Sequence, residues 1–134
     1  MSRPTDRIFH LAIPCRDLDE TIGFYRDKLG CRLARQYDDR VTFDFFGDQL
    51  VCHLCPDQTA KDPTMYPRHF GITFLDPDAF TRLLQSACSK NMPFFKKPFQ
   101  RFEGKREEHT TFFLIDPANN LLEFKHYRDD TMIY

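Results

Sequence analysis

The sequence predicts an α+β fold made of two βαβββ units within one domain of 134 residues. Three observations carry this. The chain reads twice: HLAIPCRDLDETIGFY from His10 lies over HFGITFLDPDAFTRLL from His69, each with Ile three residues and Asp seven residues after the His. A second match sets FDFFGDQLVCHL, ending at Leu54, over FFLIDPANNLLEF, ending at Phe124, so that His53 falls on Glu123. Turn and cap signals then divide each copy into a strand, a helix and three strands. The offset between copies grows from 59 residues at the histidines to 70 at the end, which places an insertion of about eleven residues around FKKPFQRFEGKREEH. The units are expected at about residues 5–57 and 66–127.

In the first unit, Arg7 to Pro14 alternates as a strand. Asp17 is a good helix N-cap, with Glu20 in the capping-box position, and Gly30 is a helix C-terminal signal. Strands are expected over Arg32–Tyr37, Val41–Phe46 and Leu50–Leu54, separated by Asp-Asp and Gly-Asp turns. In the second unit, a strand over His69–Leu75 precedes a helix over Pro77–Lys90 with Pro in its first turn. Strands follow at Phe94–Phe99, Thr110–Ile115 and Leu121–His126. The competing description is a generic α+β fold whose halves match by chance.

Composition narrows the function classes. A net charge of -1 does not favour nucleic acid or an anionic membrane as partner. The N-terminus lacks the apolar stretch of a signal peptide, and no run is long enough to span a bilayer. Five irregularly spaced cysteines fit reduced thiols, so a cytoplasmic protein is expected. Fifteen Phe and no Trp point to a Phe-rich interior or pocket.

Four polar residues stand isolated in apolar strands: His10 and His69 in the first strand of each unit, His53 and Glu123 in the last. An unpaired buried carboxylate is costly, so Glu123 needs either water or a strong partner. If the units pack as a pseudo-symmetric pair, the four converge, and three imidazoles with a carboxylate suit a divalent first-row metal. The alternative is histidines hydrogen-bonded for structure and a solvated glutamate.

The stretches IFHLAIP, DLDETIGFYRDKLG and FFLIDPANNLLEF resemble the vicinal oxygen chelate superfamily over nearly the whole chain. That superfamily includes glyoxalase I, extradiol dioxygenases, methylmalonyl-CoA epimerase, and the fosfomycin and bleomycin resistance proteins. The resemblance implies a cupped, barrel-like mixed sheet of the glyoxalase/dioxygenase type. It also implies His10, His69 and Glu123 as metal ligands, the two-His, one-carboxylate set of the iron dioxygenases and fosfomycin-modifying enzymes. The fourth position, a Glu in glyoxalase I and a Gln in the epimerase, is offered here by His53, with Gln49 on the same face as a substitute. His53 is thus either a fourth ligand or an acid/base beside a three-ligand metal.

The expected activity is Fe(II)-dependent dioxygenase-like chemistry on a small substrate with vicinal oxygens. Glyoxalase- or epimerase-type isomerase or lyase chemistry with Zn, Ni, Co or Mn is the alternative. A third reading is a bleomycin-resistance-like binder that sequesters an aromatic ligand in a Phe-lined cavity without turnover. The expected partners are a small-molecule substrate and a second copy in a homodimer, with the two units either paired within a chain or exchanged between chains.

Other residues are read more plainly. Cys52 and Cys55 form a CxxC spacing read as structural, His126 is placed on the face opposite Glu123, and His109 is given no role. Phe94 to His109 is read either as a lid whose Lys97, Arg101 or Arg106 meets an anionic substrate or as a charged, solvated edge.

Overall fold

The computed structural model describes residues 3–134 and contains two four-stranded mixed sheets. In the first, β1 (His10–Cys15) runs parallel to β4 (Asp48–Leu54), followed outward by antiparallel β3 (Arg40–Phe45) and β2 (Arg32–Gln36). The second repeats this order, with β5 (Phe70–Phe74) parallel to β8 (Leu121–Tyr127), then β7 (His109–Ile115) and β6 (Phe94–Arg101). Helix α1 (Leu18–Ile22) follows β1 and continues as wider π-helical turns over Gly23–Lys28, while α2 (Pro77–Ser89) follows β5. The repeat read from the sequence is therefore the architecture, and the inserted residues lengthen β6 and its turn into β7.

Local chemistry sets the element ends. The Asp17 carboxylate accepts from the Glu20 amide at 2.8 Å, one half of the capping box. The Glu20 side chain departs from the box and pairs with Arg16 at 2.7 Å. Asp76 caps α2 through the Asp78 amide, with Pro77 in the first turn. Gly30 closes the first helical segment at φ +87°, a left-handed conformation in which a side chain would be strained.

Most of the phenylalanines form the interior rather than a pocket, while Phe9, Phe46, Phe95 and Phe102 are exposed. Phe43, Phe112 and Phe124 are fully buried, and Phe112 stacks on Phe124 with ring centroids 5.5 Å apart. The units meet through these same apolar faces: Phe45 packs on Phe70 at 5.6 Å, and Phe46 packs on Phe124 at 5.9 Å.

A buried carboxylate fastens this junction. Asp116, in the turn between β7 and β8, accepts four hydrogen bonds. Its Oδ1 takes the amides of Ala118 (2.8 Å) and Asn120 (2.9 Å). Its Oδ2 takes the Tyr25 hydroxyl (2.7 Å) and the Asn120 side-chain amide (2.8 Å). The same Asn120 amide donates to the Pro14 carbonyl at 3.0 Å, so one turn of the second unit grips both α1's extension and β1 of the first. Burial pushes the Asp116 carboxyl above its ordinary 3.8, and the Tyr25 hydroxyl and Asn120 amide oppose that rise by favouring the charged form.

Tyr25→Phe is expected to cost about 1.5–3 kcal/mol of stability, the usual worth of a hydrogen bond to a charged group. A carboxyl raised on folding gives stability that is complete below 3.8 and is lost as pH rises through its folded value. Removing a donor that favours the carboxylate deepens that loss. The Tyr25→Phe penalty measured by urea unfolding should therefore be larger at neutral pH than in acid.

Candidate metal centre

The second unit supplies a tightly arranged pair. His69 stands immediately before β5 and Glu123 lies mid-way along β8, with Gly71 as its register partner. Glu123 is 9% exposed. Its Oε2 accepts the Thr111 hydroxyl at 2.7 Å, and its Oε1 lies 3.1 Å from His69 Nε2. The other ring nitrogen of His69, Nδ1, is 2.5 Å from the Met65 carbonyl. A carbonyl only accepts, so the hydrogen of a neutral ring sits on Nδ1 and Nε2 carries a lone pair. That lone pair faces a carboxylate oxygen. Two facing lone pairs at this distance repel unless a cation lies between them, either a second ring proton or a metal ion. A ring held by a carbonyl on Nδ1 and presenting Nε2 has the orientation of a metal-ligating histidine.

Gly71 makes this closeness possible. A methyl group built there would run into the main-chain carbonyl of Glu123. The walls beside His69 are aromatic, with Phe113 at 5.3 Å and Tyr66 at 5.7 Å between ring centroids.

In the first unit, His10 Nδ1 lies 2.6 Å from Gln49 Oε1, its register partner on β4. The amide oxygen accepts, so the hydrogen of a neutral His10 ring sits on Nδ1 and its Nε2, here exposed, carries the lone pair. Gln49, not His53, is thus the residue beside His10. His53 pairs in register with Pro14, four residues further along, which separates it from His10 by roughly 13 Å at strand spacing.

The strand registers also revise the match between His53 and Glu123. Glu123 sits opposite the residue two after His69, and the residue opposite the one two after His10 is Val51. His53 instead borders an open cleft of about 990 Å³ that His69 also lines, together with Pro14, Arg68 and Leu121. Phe70 alone of the fifteen phenylalanines borders this cleft, so it is not Phe-lined.

Within one chain the two pairs do not meet. Side chains alternate along a strand, so His10, Gln49 and Val51 share one face of their sheet, while Leu50 and Cys52 share the other. Glu123, Thr111 and Phe113 likewise stand opposite Phe70, Phe112 and Phe124. The Phe45–Phe70 contact between the units lies on the apolar faces, and the histidine-bearing faces are the opposite ones. Among the described residues no three His, Cys, Asp or Glu side chains gather as a metal cluster.

Other candidates fall where their neighbours place them. His126 lies on the opposite face from Glu123, its Nδ1 3.1 Å from the Phe74 carbonyl and its ring beside Phe80. His109, given no role from sequence, is buried on the Glu123 face against Tyr127, with its Nδ1 3.0 Å from the Glu107 carbonyl. Cys52 is buried and unbridged, as is Cys31, and burial pushes the Cys31 thiol up to about 12 and that of Cys52 higher still. Much of the Phe94–His109 segment is strand β6, and Arg106 at its tip pairs with Asp129 at 3.6 Å. Arg101 instead turns toward Tyr66, a contact that sequence pattern could not reveal.

With this geometry established, comparison with known proteins identifies the family. The model of the Glyoxalase/Bleomycin resistance protein/Dioxygenase superfamily matches residues 7–124. The chain belongs to this superfamily. A solved glyoxalase/bleomycin resistance protein/dioxygenase from Alicyclobacillus acidocaldarius is 59% identical, with a TM-score of 0.96 over 99% of this chain and 100% of that one. A lactoylglutathione lyase from Agrobacterium tumefaciens (18% identical, TM-score 0.67, covering 92% and 96%) shares the superfamily fold. So does a fosfomycin resistance protein, FosX, from Listeria monocytogenes (12% identical, TM-score 0.70, covering 95% and 98%). No helix among the described residues is long and apolar enough to cross a membrane.

Gly71→Ala is expected to destabilise the protein by about 3 kcal/mol, the upper range for overpacking, and to displace Glu123 from His69. Denaturation together with the His69 ring resonances checks both effects. A thiol reagent near neutral pH should label the exposed Cys88 first and leave Cys31 and Cys52 unmodified until the protein unfolds.

Proposed function

We propose that this chain is a metal-dependent enzyme of the glyoxalase/dioxygenase type, acting on a small substrate with vicinal oxygens. His10, His69 and Glu123 hold the metal. The observation that supports this reading is His69 Nε2 at 3.1 Å from Glu123 Oε1 while the Met65 carbonyl holds Nδ1, a pair that takes a metal ion in place of a second ring proton. His10 offers the same kind of nitrogen, held by Gln49. Two imidazoles and one carboxylate match the facial donor set that suits Fe(II) and leaves positions for substrate and O2. When bound, such a metal supplies Lewis acidity that grips the vicinal oxygens and stabilises charge developing on them.

Because no three His, Cys, Asp or Glu side chains gather within one chain among the described residues, we place His10 of one copy with His69 and Glu123 of a second, in a homodimer with exchanged units. Gln49 and the Met65 carbonyl orient the two imidazoles, and Thr111 fixes the carboxylate. His53, bordering the cleft at a distance from His10, serves as an acid or base toward substrate rather than as a ligand beside His10.

Isomerase or lyase chemistry with Zn, Ni, Co or Mn is the second reading, favoured by the shared fold with a lactoylglutathione lyase. Against it, the register places apolar Val51 where glyoxalase I carries a carboxylate. A ligand-sequestering binder is the less supported reading, since the cleft is bordered by only one phenylalanine.

Metal content after anaerobic purification tests the proposal. We expect roughly one Fe(II) per chain in the native protein and loss of that metal in Glu123→Ala. Stoichiometric Zn, Ni, Co or Mn would shift the assignment to the isomerase or lyase reading. A protein that takes up no metal even on reconstitution would overturn it.

A further inference from the structure

Of the twelve arginines, nine have a carboxylate within 4.0 Å. Among the described residues Arg35, Arg68 and Arg101 have none, and of these only Arg101 is half-buried rather than exposed. A guanidinium gives up water only in exchange for something, and here the exchange is aromatic. The Arg101 guanidinium carbon lies 5.4 Å from the centre of the Phe102 ring and 5.7 Å from that of Tyr66. Its Nη1 donates to the Tyr66 hydroxyl. Tyr66 in turn packs edge-on against His69, so Arg101 stands one aromatic ring away from the candidate metal ligand.

This arrangement is directional. Arg101 spends one of five N–H donors on the phenol oxygen, which leaves its remaining N–H groups and the phenol's own hydrogen as donors with no acceptor among the described residues. The charge also has no ion-pair partner, since among the described residues no carboxylate lies within 4.0 Å of Arg101. A planar fork and an adjoining O–H match an oxyanion, which accepts from both.

We propose that Arg101 and Tyr66 form a subsite for the oxyanion of an acidic substrate, a carboxylate or a phosphonate, placed at the end remote from the metal-binding oxygens. The proposal rests on the metal-centre reading for the position of the reacting end, though the anion contact itself needs no metal. Arg101 and Tyr66 select and position the substrate.

Metal-free protein is titrated by calorimetry with phenylphosphonate and with benzoate, benzamide serving as the neutral counterpart. The Arg101 side-chain N–H resonance, assigned by its loss in Arg101→Lys, is followed in parallel. We expect one or both anions to bind more tightly than benzamide and to shift that resonance, and the anion that does so names the substrate class. Arg101→Gln should weaken the anion by about tenfold or more while leaving benzamide unchanged. Arg101→Lys, which keeps the charge and loses the fork, should fall between.

Glu123→Ala separates the two readings. Anion binding that persists in this variant, in a protein that never takes up metal, would overturn the metal centre and leave the subsite standing. Metal uptake by a protein that binds the anions no better than benzamide, or equally well after Arg101→Gln, would overturn the subsite and leave the metal centre standing.

Discussion

The buried carboxylate of Asp116 is the constraint on which the rest of the molecule depends. It converts a short Pro-Ala-Asn-Asn turn into a clamp, taking two backbone amides, a side-chain amide and a phenol, while Asn120 carries the connection to the Pro14 carbonyl. Three of the four groups around it are amide N–H donors, and an amide in its place would turn its own N–H toward the Asn120 side-chain amide, so a carboxylate suits this set. The clamp holds the units together through their aromatic faces. The opposite faces carry His10, which is exposed, and Glu123, which is buried beside Thr111 and Phe113.

The placement of the two histidines shapes the proposed chemistry. In each unit one ring nitrogen is tied down by an oxygen acceptor, which turns the other nitrogen away from that contact. His69 faces a carboxylate that is nearly buried, and His10 faces solvent. Each is half of a donor set, and completing it needs the other unit's face brought opposite, which a second copy of the chain can do. The metal reading and the dimer reading therefore rest on one geometric fact.

Much of the fold was legible because it is written twice. The register of His10 with His69, the helix cap at Asp17, the proline in the first turn of the second helix and the Gly-Asp turn at Gly47 all name elements that the structure contains. The site was legible only in its residue types. Alignment by motif set His53 on Glu123, and the strand register shows Val51 in that place, because apolar residues flanking a single polar one look alike after a two-residue slip. The roles of Gln49 and Met65 were hidden for another reason. Each acts through one oxygen atom whose position depends on which strand lies alongside or how a loop returns. Tyr66 and Arg101 are 35 residues apart and meet only in three dimensions.

The central claim is that the metal ligands combine across two chains, and mixing variants tests it directly. His10→Ala and Glu123→Ala would each lose metal alone. In a two-fold dimer with exchanged units, a mixed pair holds one site with both defects and one site with none. Co-expression of the two variants should therefore recover about a quarter of the native metal content, since half the dimers are mixed and each rebuilds one of two sites. A mixture that contains mixed dimers but stays as metal-poor as either variant alone, while the native protein binds metal, would contradict the account.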